Sequence, residues 1–186
     1  MSRREVSLPE LLRRIKLVVS DVDGVLTDGA KFYDRSGLAI LMFNARDGLG
    51  AVILKLLSIE IALVTSTQSS IIEQRANDLG IKEIKMGIWQ KGPAVRDLRE
   101  GRNLSFDEVM YIGDDVWDLS AFREVGIKVA VHDAHPKLIE GADWVTRHRG
   151  GSGAFREVAD AIAAARGLNV KNLVDMLESA SCKEAI

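Results

Sequence analysis

The residues most able to do chemistry are carboxylates set close together: Asp21 and Asp23, then Asp114, Asp115 and Asp118. The first two are separated by one residue, in Asp21-Val22-Asp23-Gly24. In extended backbone, alternate side chains face the same way. Two carboxylates so placed reach opposite sides of one reacting centre, one to attack phosphorus and the other to protonate a leaving oxygen. Gly24 permits a sharp turn directly after them. Three further polar groups stand at comparable positions: Thr65 and Ser66 after an apolar run, and Lys91 opening a helical stretch. If these groups converge, the carboxylates repel one another unless a cation lies among them. An oxygen-rich donor set of this kind suits Mg²⁺. A lysine and a hydroxyl beside the ion supply the charge partner and hydrogen-bond donor that a phosphoryl group needs.

The elements that position these residues alternate. Leu17–Ser20 reads as a buried strand, Lys31–Tyr33 and Leu38–Phe43 as the arms of a β-hairpin around the turn-forming Asp34-Arg35-Ser36-Gly37. Helix 48–57, strand Ile59–Val64, helix 69–79, a short strand at Glu83–Lys85, helix 93–100, strand Val109–Ile112, helix 116–125, strand Ile127–Val131, a helical turn from Pro136, a short strand at Trp144–Thr146 and helix 154–165 follow. The leucine stripe of residues 8–15 predicts a packed helix before the first strand, and a final helix is expected over about 169–180. The alternation predicts an α/β fold, a doubly wound (Rossmann-like) parallel sheet with helices on both faces. In such sheets ligands bind outside the carboxyl ends of the strands. Asp21, Thr65 and Asp114 each follow a strand and belong to that edge.

Bulk properties narrow the field. The 186 residues suit one domain, with a core over about 15–167, a hairpin flap over about 30–43 and a helical tail over about 168–186. A net charge of −2 argues against general affinity for nucleic acid or anionic lipid. Cys182 is the single cysteine, which excludes an internal disulfide. No apolar segment approaches the roughly 20 residues of a membrane span, and the opening residues lack a signal-peptide pattern; a cytoplasmic location is expected.

The string Asp21-Val-Asp-Gly-Val-Leu-Thr-Asp-Gly29 resembles the first motif of the haloacid dehalogenase phosphatases. Thr65 resembles their second motif, Lys91 in Gln90-Lys91-Gly92 their third, and Gly113-Asp-Asp-Val-Trp-Asp118 their fourth. The stretches Phe43–Gly48, Val131–Pro136 and Gly150–Glu157 resemble the small, cap-less branch that includes the 3-deoxy-D-manno-octulosonate 8-phosphate phosphatases. The resemblance implies Asp21 as nucleophile and metal ligand. It implies Asp23 as general acid and base, with its carbonyl on the metal, and Asp114 as the third protein ligand of Mg²⁺. Thr65 and Lys91 would hold the phosphoryl oxygens, with Asp115 and Asp118 acting from behind the ligands. Arg46, Asp47, Ser66 and Gly24 are the expected substrate-binding residues. The implied substrate is an acidic keto-sugar phosphate, best the octulosonate 8-phosphate. The branch usually carries Thr-Gly-Arg at its second motif, and Thr65-Ser66-Thr67 stands here, which keeps a nine-carbon keto acid 9-phosphate open. From another class, a receiver-like domain remains a rival, disfavoured by Asp23, Asp118 and the additional hairpin, as does a non-catalytic oligomerisation module, disfavoured by the retention of Asp21, Asp23, Lys91 and Asp114. The hairpin arm is apolar on both faces and has no evident partner in the domain. It predicts a homo-oligomer, a tetramer, in which neighbours take the place of the missing cap.

Overall fold

The computed structural model describes residues 7–184; the side chains of Leu38, Ala39 and Val170, and those from Ala180 on, including Cys182, lie outside the described set. A six-stranded parallel sheet forms the centre: β1 (Leu17–Ser20), β4 (Glu60–Val64), β5 (Glu83–Lys85), β6 (Val109–Gly113), β7 (Ile127–Ala130) and β8 (Trp144–Val145). Their order is β5-β4-β1-β6-β7-β8. The remaining strands, β2 (Phe32–Asp34) and β3 (Gly37–Ile40), pair antiparallel as a separate hairpin.

Every residue of β1 and β6 is buried, as expected where both faces of a parallel sheet are covered. Two helical groups provide the cover. One joins α1 (Leu8–Arg14), α2 (Ala45–Leu56) and α7 (Ala154–Ala165); the other joins α4 (Lys91–Glu100), α5 (Leu119–Phe122) and α6 (Pro136–Gly141). Helix α3 (Ser70–Asp78) connects β4 to β5, and α8 (Val170–Glu184) follows α7, touching α2.

The topology fixes where chemistry can occur. After β1 the chain fills one side of the sheet with β4 and β5, then crosses to the other with β6. Ser20 is in register with both Leu63 and Ile112. The residues just past β1, β4 and β6 are therefore neighbours at the switch point, the place where open α/β sheets bind ligands.

Several boundaries differ from the sequence reading: the second hairpin arm ends at Ile40 rather than Phe43, α4 begins at Lys91 rather than 93, and α8 runs on to Glu184. Helix α2 starts at Ala45, because the Asn44 side chain accepts a hydrogen bond from Arg46 N at 2.9 Å and caps the helix earlier. The expected helix 116–125 is a 3₁₀ turn over Val116–Asp118 followed by the four residues of α5.

Candidate active site

Asp21 stands one residue beyond β1, and its N–H still joins the ladder through Ile112 O at 3.0 Å. Thr65, one residue beyond β4, is likewise held through Lys85 O at 2.9 Å. Asp114 follows β6. Asp21, Asp23, Ser66, Lys91, Asp114, Asp115 and Asp118 line one cavity of about 150 Å³, together with Lys31, Trp89 and Trp117.

Lys91 is the first residue of α4 and is buried. A cation at a helix N-terminus opposes the helix dipole, and two carboxylates offset that cost. Its Nζ lies 2.6 Å from Asp21 Oδ2 and 2.7 Å from Asp118 Oδ1, and both contacts raise its pKa against the effect of burial. Asp118 is wholly buried and saturated. Oδ1 also accepts from Tyr111 Oη at 2.6 Å, while Oδ2 accepts from the backbone N–H of Asp114 at 2.9 Å and of Asp115 at 3.2 Å. Asp115 turns its carboxylate to Val116 N at 2.6 Å and caps the 3₁₀ turn.

Oxygens of Asp21, Asp114 and Asp118 come within 4.8 Å of one another, a spacing suited to a metal ion. Each Asp118 oxygen already accepts two hydrogen bonds, whereas each Asp21 oxygen has one partner, Val22 N on Oδ1 and Lys91 Nζ on Oδ2, both at 2.6 Å, so Asp21 and Asp114 keep lone pairs for a cation. The Asp114 carboxylate accepts no hydrogen bond from any described residue, and neither does the carbonyl of Asp23. Without a cation the cluster resists ionisation. Burial, outweighing Lys91, pushes Asp21 up to about 7. Burial and then the charges of Asp21 and Asp118 push Asp114 up to about 8. A hard divalent cation reverses both shifts and suits this all-oxygen set.

Gly24 brings its backbone against Asp114. Its φ is +83°, and a Cβ there would lie 2.0 Å from Asp114 Oδ2. The Gly150-Gly151 turn packs onto the same loop: a Cβ on Gly150 would lie 1.7 Å from Gly24 O, and Gly151 N donates to Val25 O at 2.9 Å. This glycine-rich stretch thus buttresses the loop that follows Asp21 in its own chain. Thr65 is buried; its Oγ1 accepts from Thr67 N at 3.1 Å and lies 3.4 Å from Asp23 Oδ2.

Two expected substrate-binding residues lie elsewhere in this chain. Asp47 is buried and accepts from Gly153 N at 3.1 Å and Arg156 N at 3.0 Å, so it caps α7 and ties α2 to it. Burial raises its pKa, opposed by those amides. Arg46 is exposed and lines a separate cavity with Arg147 and Arg156. Both follow from α2 beginning at Ala45, which places them in its first turn rather than on a loop. The histidines serve turns: His135 Nδ1 accepts from Lys137 N at 3.1 Å, and His148 pairs with Glu157 at 2.7 Å.

The sequence reading missed Tyr111, Lys31 and the wall formed by Trp89 and Trp117, whose rings meet edge to face at 5.7 Å. A signal existed for Tyr111, the single hydroxyl-bearing side chain inside the apolar run Val109–Ile112.

A family model for haloacid dehalogenase-like hydrolases matches residues 54–157. The 3-deoxy-D-manno-octulosonate 8-phosphate phosphatase of Haemophilus influenzae is 42% identical over 86% of this chain and 89% of its own. A cobalt-bound structure of the Haemophilus influenzae phosphatase superposes with a TM-score of 0.82 at 43% identity, covering 84% of this chain and 92% of that one. The Moraxella catarrhalis phosphatase, solved with magnesium, phosphate and its sugar acid, gives a TM-score of 0.85 at 32% identity, covering 95% and 99%. With the order of the four motifs kept and their side chains meeting at one switch point, this chain belongs to the haloacid dehalogenase-like hydrolases, among the phosphatases that resemble these octulosonate 8-phosphate enzymes.

Proposed function

We propose that the protein is a Mg²⁺-dependent phosphomonoesterase that hydrolyses 3-deoxy-D-manno-octulosonate 8-phosphate through a phospho-aspartate on Asp21. The observation that carries this reading is the pairing of Asp21, held by Lys91, with Asp23, whose Oδ1 is buried and unpartnered beside it.

Asp21, Asp114 and the carbonyl of Asp23 are the groups that would hold Mg²⁺, which when bound neutralises the carboxylates and polarises the phosphoryl oxygens. Lys91 screens Asp21 from the negative phosphoryl group and follows the charge as it moves onto it. Asp21 attacks phosphorus; the bond to the sugar oxygen breaks, and that oxygen takes its proton from Asp23. Asp23, now a carboxylate, takes a proton from water as the water attacks the phospho-aspartate and frees Asp21. Ser66 lines the cavity and would face the transferred group; Thr65 is buried behind it, its hydroxyl 3.4 Å from Asp23 Oδ2 and accepting from Thr67 N, and would hold that loop in place. Asp118 holds Lys91 and the Asp114 and Asp115 amides in place, so positioning and charge neutralisation supply the rate.

Thr67 bears on the choice of sugar. Its hydroxyl is committed to Asp23 at 2.6 Å, so the position that differs from the branch's usual arginine is occupied with the catalytic group. The names of the relatives favour the octulosonate over a nine-carbon acid. Assembly belongs to the same proposal. Phe32, Tyr33, Ile40 and Met42 expose large apolar surface on the hairpin and the residues after it, and burial against further copies in a closed tetramer would cover it.

The test is phosphate release from the octulosonate 8-phosphate and from a nine-carbon keto acid 9-phosphate, with Mg²⁺ and after chelation. Asp21→Asn should leave a folded protein without turnover. Wild-type rates in that variant, or full activity after exhaustive chelation, would defeat the mechanism.

A further inference from the structure

The cavity around Asp21 has a buried floor and an aromatic rim. Asp21, Lys91 and Asp118 form the floor, whereas Trp89 and Trp117, lining the same cavity, are more than half exposed and stand outside the hydrophobic core. Both rings are carried by segments that the floor residues fix. Trp89 stands two residues before Lys91, on a loop whose Ile88 N–H donates to Thr65 O at 2.9 Å. Trp117 precedes Asp118 inside the 3₁₀ turn that Asp115 caps. The two segments are tied together: Lys91 Nζ meets Asp118 Oδ1 at 2.7 Å, and the Ser120 hydroxyl accepts from Gly92 N at 3.1 Å and donates to Trp117 O at 3.2 Å. The rings meet edge to face, with centroids 5.7 Å apart and planes at 74°, an arrangement that leaves ring faces bare. Among the described residues neither indole N–H has a hydrogen-bond partner.

We infer that Trp89 and Trp117 form a preset corner that binds the carbon chain of the leaving sugar, and that they select substrates with an extended, hydroxylated leaving group. The inference rests on the phosphatase reading above. In phosphoryl transfer the attacking and leaving oxygens lie roughly in line. With Asp21 on the floor, the leaving oxygen points away from it toward the rim, and the sugar attached to that oxygen meets the two indoles. An indole suits such a group, because its electron-rich face packs against C–H bonds and its N–H donates to a hydroxyl. Small-molecule sites combine aromatic walls with a few polar groups, and Lys31 and Ser66 supply polar groups to the same cavity. The segments under both rings are fixed before the sugar arrives, so little ordering remains to oppose binding. A neighbouring copy is the other candidate to cover the rings. Their continuity with the cavity that holds Asp21 favours the leaving group.

The test compares the octulosonate 8-phosphate with acetyl phosphate, whose short leaving group does not reach the rim, in Trp89→Ala, Trp117→Ala and the conservative Trp89→Phe and Trp117→Phe. Contact equivalent to about two buried CH₂ groups corresponds to about tenfold in affinity. Each alanine variant should therefore raise KM for the sugar phosphate about 10-fold and hold kcat within about threefold, the pattern of binding lost equally from ground and transition states. The ratio of sugar to acetyl kcat/KM should fall at least about fivefold in the alanine variants and return to within about threefold of the wild type in the phenylalanine variants. A second readout does not depend on turnover. With Mg²⁺ and inorganic phosphate present, free 3-deoxy-D-manno-octulosonate should shield the indoles and lower acrylamide quenching of tryptophan fluorescence; the Trp89→Phe, Trp117→Phe double variant, where Trp144 alone remains, should show no such change. Equal losses on both substrates, a loss in kcat alone, or indoles left unshielded would overturn the inference. So would alanine variants that run as smaller species in light scattering and lose both activities, which would assign the rings to a neighbouring copy. A wild type that releases phosphate from both esters without favouring the sugar defeats this inference and leaves the phospho-aspartate chemistry standing; one that releases phosphate from neither defeats both.

Discussion

Asp118→Asn separates the support of Lys91 from the proposed metal ligands. The native carboxylate accepts from Lys91 and Tyr111 at Oδ1, at 2.7 and 2.6 Å, and from two backbone amides at Oδ2, at 2.9 and 3.2 Å. A carboxamide has one acceptor oxygen. If that oxygen keeps the amides, the new NH₂ faces Lys91 and Tyr111. The tyrosine hydroxyl can turn and accept; the ammonium cannot. Lys91 is then left with Asp21 alone. Breaking a buried charge pair costs about 3–5 kcal/mol, and the turned tyrosine recovers about 1 kcal/mol, which leaves a net loss of about 3 kcal/mol. In a domain of this size each kcal/mol moves Tm by about 2–4 °C, so the metal-free protein should melt about 6–12 °C lower. Lys91 is also drawn onto the nucleophile and away from the phosphoryl group; a loss of about 100-fold in kcat corresponds to about 2.7 kcal/mol of transition-state stabilisation. Calorimetry and steady-state phosphate release measure the two effects. Tyr111→Phe is the control, since it removes one donor and leaves Lys91 paired; it should cost about 1–2 kcal/mol and little turnover. An Asp118→Asn protein that melts with the wild type and turns over normally would refute the support role.

Gly24→Ala should abolish Mg²⁺-dependent activity, because the added methyl would stand 2.0 Å from Asp114 Oδ2 at a φ of +83°; Mg²⁺ affinity by titration calorimetry should fall as well, and unchanged affinity would contradict this placement of Asp114. With the folded-state pKa values of Asp21 and Asp114 raised to about 7 and about 8 from 3.8, the folded protein binds more protons than the unfolded chain between pH 4 and 8. Stability of the chelated protein should therefore decline as pH rises through that window, and Mg²⁺ should raise Tm more at pH 8 than at pH 5.5; a chelated Tm that rises with pH across this range would contradict it. Ile40→Asp and Met42→Asp, at positions 54% and 58% exposed, should yield smaller species by light scattering with activity lost mainly on the sugar phosphate; a fully active wild-type monomer at micromolar concentration would remove the basis for assembly.

What the sequence made legible is what short-range pattern determines. β1 and α7 occupy the expected residues, because an unbroken apolar run and a helical stripe bounded by glycines leave few alternatives. Asp21, Thr65 and Asp114 were placed together by one rule about strand ends, and the sheet order puts those three ends side by side. The residues whose surroundings the sequence does not show depend on neighbours far along the chain. Asp47 was expected to read substrate, yet its partners are the amides of Gly153 and Arg156, 106 and 109 residues away. Lys31 and Thr67 reach Asp23 through contacts that no local period encodes. The shortened helix after Asp118 has a similar cause: the buried contacts to Lys91 and Tyr111 fix that carboxylate, and the backbone follows with a 3₁₀ turn.

The cavity around Asp21 is small for a whole sugar phosphate. At about 150 Å³ it accommodates a phosphoryl group and its immediate surroundings, whereas sites that enclose a small organic ligand run to about 300–1,000 Å³. The sugar of the proposed substrate would therefore extend outward, past Lys31 and the walls formed by Trp89 and Trp117. Those tryptophans are 59% and 57% exposed, and the hairpin beside Lys31 exposes Phe32 and Tyr33 at 52% and 68%. The chemistry at phosphorus is thus held deep in one chain by buried charges, while the part of the site that selects the sugar lies at a rim of exposed aromatics. That division is why four short motifs suffice to bring the buried carboxylates and Lys91 together, while the expectation of the octulosonate came from resemblance along the chain rather than from the residues of the rim. If copies pack against the hairpin as proposed, they meet this rim of exposed aromatics, whereas the buried contacts of Lys91 with Asp21 and Asp118 lie within each chain.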